Sequence, residues 1–190
     1  MIDHFSILGQ PRRPWLDPEE VKEAFHRLGA TLHPDVLGTG DAARFTALNA
    51  AWTVLREPAS RLRHLLELTA PEALAEASHP PLELADLFME IAGVQRRLDP
   101  LLGKRRAATS PLTRALLASE EADLRRAIQS TLSRLEAAEA ASLAEVREVD
   151  SVWNAPPPDA VASLVRLSHR LAYLSRWLTQ VRESIFTLGG

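Results

Sequence analysis

Apolar residues recur at spacings of three and four along most of this chain, which is the period of an amphipathic helix. Over the first third, this spacing predicts short helices at 3–8, 17–33, 42–55 and 58–68. Pro34 disfavours helical geometry at the residue before it, and this sets the end of the second helix. The first third is therefore predicted to be a small unit of four helices.

Three longer amphipathic stretches follow a proline-rich connection, at 82–102, about 110–153 and 159–186. Gly103 is expected to break the first of them, and the triple proline at 156–158 is expected to stop the second. No segment shows the alternation and β-branched enrichment that are typical of a strand. The predicted fold is all-α, with a helical hairpin and short helices in an N-terminal domain and a three-helix bundle in a C-terminal domain.

The predicted division of the chain is an N-terminal domain at 1–69, a linker at 70–81 and a C-terminal bundle at 82–190. The net charge is −3 and neither domain is basic, which argues against nucleic acid as a partner. No apolar run reaches the roughly 18 residues that span a bilayer, and the first residues lack the features of a secretory signal. We therefore expect a cytoplasmic protein with no membrane partner.

Signatures of enzymes and metal sites are missing from the sequence. The absence of cysteine excludes disulfides, thiol nucleophiles and cysteine-ligated zinc or iron–sulfur clusters. There is no glycine-rich phosphate loop and no His-Glu-x-x-His, and the six histidines are scattered. We predict that the chain is not an enzyme, holds no metal and needs no cofactor.

The most informative motif is His33-Pro34-Asp35, which lies between two predicted amphipathic helices and precedes a glycine-containing loop. This setting predicts that the three side chains are exposed at the tip of a helical hairpin. Asp35 then offers a carboxylate that an arginine of a partner could bind with two hydrogen bonds. Residue types alone favour a simpler interpretation, in which Pro34 stops a helix and Asp35 caps the turn.

Several segments in the same order resemble the J-domain co-chaperones. They are 3–9, 21–28, the His33-Pro34-Asp35 motif and 45–55, so the resemblance covers about residues 3–68. It implies a protein that docks on an Hsp70 chaperone, of the HscA or DnaK type, and stimulates its ATP hydrolysis. By this resemblance, the residues that contact the Hsp70 are Lys22, His26, Arg27, His33, Pro34 and Asp35.

Almost the whole chain resembles the HscB-type co-chaperones of iron–sulfur cluster assembly. The segments 49–58 and 61–68 are followed by a linker and a helical domain, without a glycine-rich region or zinc-binding cysteines. This resemblance implies that the C-terminal bundle binds an iron–sulfur cluster scaffold protein of the IscU type. The scaffold-binding residues it implies are Phe88, Met89, Ala92, Arg96 and Tyr173.

Some features depart from the family pattern and keep alternatives open. Acidic residues expected on the first C-terminal helix appear as Gly93 and Arg96, and an Ala-rich stretch at 135–148 looks longer than usual. One alternative is a J-domain protein with a different client, and another is a helical interaction protein with a degenerate J-like unit. Core packing of Phe88 and Met89 is also open, whereas their exposure would mark a partner site.

Overall fold

The structure, a computed structural model, describes residues 2–32, 42–75, 81–154 and 158–189. Those residues contain no strand, so the prediction of an all-α fold is confirmed. A 3-10 turn at Leu82–Leu84 precedes the first of the long helices. The α-helices are α1 His4–Leu8, α2 Pro18–Leu32, α3 Ala42–Arg56, α4 Pro58–Thr69, α5 Pro71–Ala75, α6 Ala85–Ala107, α7 Pro111–Ser151 and α8 Pro158–Gly189.

Packing divides the chain into two compact units, and α7 and α8 each contribute a segment to both. The first unit comprises Met1–His79 and Ser142–Ala172, and the second comprises Pro80–Ala141 and Tyr173–Gly190. The predicted domains at 1–69 and 82–190 follow chain order, whereas this division follows the contacts between backbone segments. The domain boundaries stay a prediction.

The core of the first unit combines the short helices with one end of each long helix. Both α1 and α2 pack against α3. Apolar side chains from all these elements are fully or almost fully buried together, among them Phe5, Leu8, Val21, Leu48, Leu55, Leu62, Leu65, Val146, Leu164 and Leu167. Val146 comes from the Ala-rich stretch, so the end of that stretch has a structural role: it supplies part of the core of the first unit.

The loop between α1 and α2 is held against the end of α7 by one carboxylate. Asp150 accepts hydrogen bonds from Arg13 Nε at 2.9 Å and from the backbone N–H of Trp15 at 3.0 Å. Arg147, one turn earlier on α7, places its guanidinium 4.0 Å from the centroid of the Trp15 ring. Together these contacts fix the loop within the first unit.

A buried arginine connects the same loop to α3 and α4. Arg61 is 2% exposed, and it donates from Nε to the carbonyl oxygen of Pro14 at 3.1 Å and from a terminal nitrogen to that of Leu55 at 3.0 Å. Burial lowers the pKa of Arg61 to about 10, against the opposing attraction of Glu57 and Asp150. The side chain therefore stays charged at neutral pH.

Asp3 caps the N-terminus of α1. One carboxylate oxygen accepts from the backbone N–H of Phe5 at 3.0 Å and of Ser6 at 3.3 Å, and the other accepts from Arg12 Nε at 2.9 Å. Burial alone raises the pKa of Asp3, but hydrogen bonds from Ser6 and Arg12 outweigh it and lower the pKa to about 2. The folded first unit therefore favours the ionised carboxylate.

Replacing Asp3 with alanine should lower the free energy of unfolding by about 1 kcal/mol at neutral pH, because the helix loses its cap. The folded pKa lies below the ordinary value of 3.8, so the contribution is present above about pH 4 and is lost as the pH falls toward 2. Urea unfolding followed by circular dichroism at several pH values measures this. Asp99→Ala, which removes an exposed carboxylate, is the control; an equal loss there would contradict the capping role.

The second unit has a core formed by three helices. The apolar stripe expected on α6 is buried, in agreement with the sequence, and it meets side chains of α7 and α8. The buried side chains include Leu84, Leu87, Ile91, Val94 and Leu98 before and within α6, Leu124, Ile128 and Leu135 from α7, and Leu174, Trp177 and Val181 from α8.

The predicted break at Gly103 is wrong, because α6 continues to Ala107. A glycine costs a helix about 1 kcal/mol relative to alanine, and contacts on both sides of this one offset that cost. Leu101 and Leu102 before it are buried, and Arg105 after it donates to the carbonyl oxygen of Leu188 at 3.0 Å. Basic residues in the last turn also interact favourably with the helix dipole.

Candidate partner-binding sites

The His33-Pro34-Asp35 motif lies outside the described residues, as do Gly38 and Gly40. The structure does describe the helices on either side of it, and α2 packs against α3. Phe25 of α2 stacks on Trp52 of α3, with ring centroids 4.9 Å apart. The helical pair that the sequence predicts around the motif is therefore present.

The predicted Hsp70-contacting residues of α2 are all exposed. Val21 and Ala24 are buried on the inner side of the helix, whereas Lys22, His26 and Arg27 face solvent. Lys22 and His26 are one turn apart and share a strip of the surface, and Arg27 lies on a neighbouring strip.

Acidic residues interrupt the positive charge of this surface. Lys22 Nζ lies 3.1 Å from a carboxylate oxygen of Glu19, and both side chains are more than half exposed. Such a solvated ion pair contributes little to stability, so Lys22 can exchange this partner for another at small cost. Glu20 and Glu23 are also exposed on α2, which leaves a mixed rather than a purely basic surface.

A second candidate surface lies on α6, in the second unit. Phe88 is 55% exposed and Met89 is 60% exposed, so neither belongs to the core. The neighbouring positions Leu87 and Ile91 are buried in the core stripe of α6, and Phe88 and Met89 lie beside that stripe. Exposed large apolar side chains that adjoin one another are typical of a protein-binding surface.

Trp177 of α8 lies beside Phe88, and Tyr173 of the same helix lies beside Trp177. The buried Trp177 has its ring centroid 6.1 Å from that of Phe88 and 5.6 Å from that of Tyr173. We name Phe88, Met89, Ala92, Tyr173 and Trp177 the α6–α8 patch. Trp177 is not among the residues predicted for this surface; its position four residues after Tyr173 is the signal that could have associated it with them.

The other residues that the sequence predicts for scaffold binding either belong to the patch or lie next to it. Ala92 is partly buried on α6, and Arg96 is exposed one turn further along. Tyr173 is partly buried, and its ring lies 5.6 Å from the guanidinium of Arg176. The structure thus places the residues predicted for scaffold binding on adjacent helices of one unit.

Neither a metal-ion cluster nor a membrane-spanning helix is found among the described residues. Across residues 2–32, 42–75, 81–154 and 158–189, no cluster of three or more histidine, aspartate or glutamate side chains is arranged to hold a metal ion. Within the same ranges, no helix combines the length and the apolar character that crossing a membrane requires. The prediction that the protein needs no cofactor stays a prediction.

Known proteins resemble this chain in sequence. Residues 3–64 match the DnaJ domain family. The co-chaperone protein HscB homolog of Bordetella pertussis is 33% identical over 140 residues, which cover 70% of this chain and 78% of that protein. The chaperone protein DnaJ of Trichormus variabilis is 36% identical over 86 residues, which cover 45% of this chain and 22% of that protein.

Solved structures agree on the fold. The chaperone HscB from Vibrio cholerae matches with a TM-score of 0.58 and 16% identity, over 96% of both chains. The human co-chaperone protein HscB matches with a TM-score of 0.57 and 17% identity, over 96% of this chain and 82% of that one. These structures support the all-α fold, and the sequence identity to the Bordetella protein extends over most of both chains. This chain therefore belongs to the HscB family of J-domain co-chaperones.

Proposed function

We propose that this protein stimulates ATP hydrolysis by an Hsp70 chaperone of the HscA or DnaK type and delivers to it an iron–sulfur cluster scaffold protein of the IscU type. The observation that carries the proposal is the 140-residue match to an HscB co-chaperone, which is much longer than the DnaJ match at residues 3–64. In this proposal the chain acts in the cytoplasm and is itself no enzyme.

The Hsp70 contact is assigned to the motif that connects α2 and α3 and to the exposed side of α2. Asp35 supplies a carboxylate for an arginine of the Hsp70, and Pro34 restricts the backbone next to it. Lys22, His26 and Arg27 add positive charge for an acidic surface of the Hsp70, which favours encounter in the correct orientation. Their exposure supports this assignment.

The scaffold contact is assigned to the α6–α8 patch. Phe88 stands against the buried Trp177 and loses little freedom on binding, which favours a role as an anchor. Met89 has a flexible side chain that adapts to the surface of a partner. The exposure of this pair supports the assignment, because a binding surface has to expose apolar area before the partner arrives.

Joining the two contacts in one chain has a functional consequence. A scaffold protein held on the patch is tethered to the Hsp70 that the J-domain engages, so its effective concentration there is raised. Hydrolysis stimulated during that contact then captures the scaffold in the ADP-bound chaperone. The protein would thereby couple ATP hydrolysis to client delivery.

The Hsp70 contact is tested by reversing two charges of α2. Lys22→Glu with Arg27→Glu should raise the concentration needed for half-maximal ATPase stimulation by about ten-fold, because like charges then face the Hsp70. Steady-state ATP hydrolysis by the Hsp70 of the same organism measures this. The matched control is Arg125→Glu with Arg126→Glu, an equal charge change at exposed positions of α7. Unchanged stimulation by the α2 variant would show that α2 is not the docking surface.

A further inference from the structure

Two exposed arginines of α6, further along the helix than the residues of the α6–α8 patch, are available for a partner. Arg96 and Arg97 are both exposed on α6, and neither forms an ion pair with another residue in the part of the chain that the structure describes. Lys104, further along the same helix, differs in this respect, because its Nζ lies 3.0 Å from a carboxylate oxygen of Glu120. The two arginines thus retain charge that nothing in the described second unit neutralises.

The carboxylates of α6 form no ion pairs with Arg96 or Arg97 among the described residues. Glu90 forms an ion pair with Arg134 of α7, which neutralises its charge. Asp86 and Asp99 are exposed on the same helix, and among the described residues neither is ion-paired with Arg96 or Arg97. Positive charge therefore borders the apolar patch at the end where α6 continues beyond Ala92.

The surface between the patch and the arginines is open. Met89, Gly93 and Arg96 recur at spacings of four and three, which places them on one exposed strip of α6. A Cβ added at Gly93 would meet no atom within 4 Å beyond its chain neighbours and the adjacent backbone of α6. A groove of about 330 Å³ begins there, between α6 and α7, and its lining includes Gly93, Arg97, Ser130 and Arg134.

We propose that the scaffold surface bound by this chain carries Asp or Glu side chains, which bind Arg96 and Arg97, beside an apolar segment that covers Phe88 and Met89. This inference rests on the proposed function, because it specifies the chemistry of the scaffold contact. A guanidinium binds a carboxylate through two parallel hydrogen bonds, which gives direction as well as attraction. A scaffold with basic side chains at those positions is repelled, so the two arginines select between scaffold surfaces.

The test is the affinity of the full chain for the scaffold protein of the same organism, measured by titration calorimetry at low and high salt. Arg96→Glu with Arg97→Glu should weaken binding by about ten-fold or more at low salt, and high salt should reduce the difference. Arg96→Lys with Arg97→Lys keeps the charge and should retain most of the affinity. Arg125→Glu with Arg126→Glu is the matched control and should bind like the wild type.

The possible outcomes separate this inference from the proposed function. Weaker binding of the glutamate variant alone supports the inference, and so does its rescue by a scaffold whose facing carboxylates are changed to lysine. If the wild type binds but the glutamate variant binds as tightly, or the control loses as much affinity, the inference is overturned and scaffold delivery stands. If the wild type does not bind the scaffold, both are overturned.

Discussion

Replacing Phe88 and Met89 together with alanine is expected to weaken scaffold binding by about 2–4 kcal/mol, which corresponds to roughly 30- to 900-fold in Kd. The two side chains are 55% and 60% exposed and supply the apolar centre of the proposed contact. A partner that covers them removes this area from water, and truncation removes most of that gain. Titration calorimetry with the scaffold protein measures the change.

A matched control separates a specific contact from a general loss of exposed apolar surface. Phe186 and Leu116 are 85% and 70% exposed, so Phe186→Ala with Leu116→Ala removes similar side chains elsewhere in the second unit. This control should bind the scaffold like the wild type. An unchanged affinity of the Phe88 and Met89 variant, or an equal loss in the control, would place the scaffold contact elsewhere.

Replacing Arg61 with methionine is expected to lower the free energy of unfolding by about 2–4 kcal/mol. The change leaves the carbonyl oxygens of Pro14 and Leu55 without the donors that now lie 3.1 and 3.0 Å away. It also disconnects the loop between α1 and α2 from the end of α3. Urea unfolding followed by circular dichroism measures the loss.

The neighbouring position offers a close control for this change. Arg63 is on the same helix, but its side chain is 73% exposed, and among the described residues it pairs with Glu67, one turn away. Arg63→Met should therefore cost less than about 1 kcal/mol. The Arg61 variant could instead be as stable as the wild type, or no less stable than the Arg63 variant. Either result would show that the buried arginine does not hold the first unit together.

Local patterns predicted the helices and much of the surface chemistry. The core stripe of α6 is a matter of spacing within one helix, and the exposure of Phe88 and Met89 follows from their place beside that stripe. Lys22, His26 and Arg27 are exposed for the same reason, since Val21 and Ala24 define the inner side of α2. Such features depend on residues a few positions apart, so periodicity reveals them.

Hydrophobic periodicity could not predict the features that depend on contacts between residues far apart in the chain. Arg61 is buried because it reaches Pro14, 47 residues earlier, and Asp150 binds Arg13, which is 137 residues away in the chain. Gly103 stays helical because α8 supplies a carbonyl to the turn after it. The supporting position of Trp177 behind Phe88 likewise needs the packing of α8 on α6. No local pattern reports such contacts.

We would first measure the steady-state rate of ATP hydrolysis by the Hsp70 of the same organism, with and without the scaffold protein. This measurement tests whether one chain both stimulates an Hsp70 and delivers the scaffold to it. We expect stimulation by the wild type, and we expect the scaffold to increase it further. His33→Gln should abolish both effects, whereas Phe88→Ala with Met89→Ala should lose only the increase due to the scaffold. Stimulation that the scaffold does not change would show that the chain does not deliver the scaffold, and stimulation that survives His33→Gln would show that the motif does not act on the Hsp70.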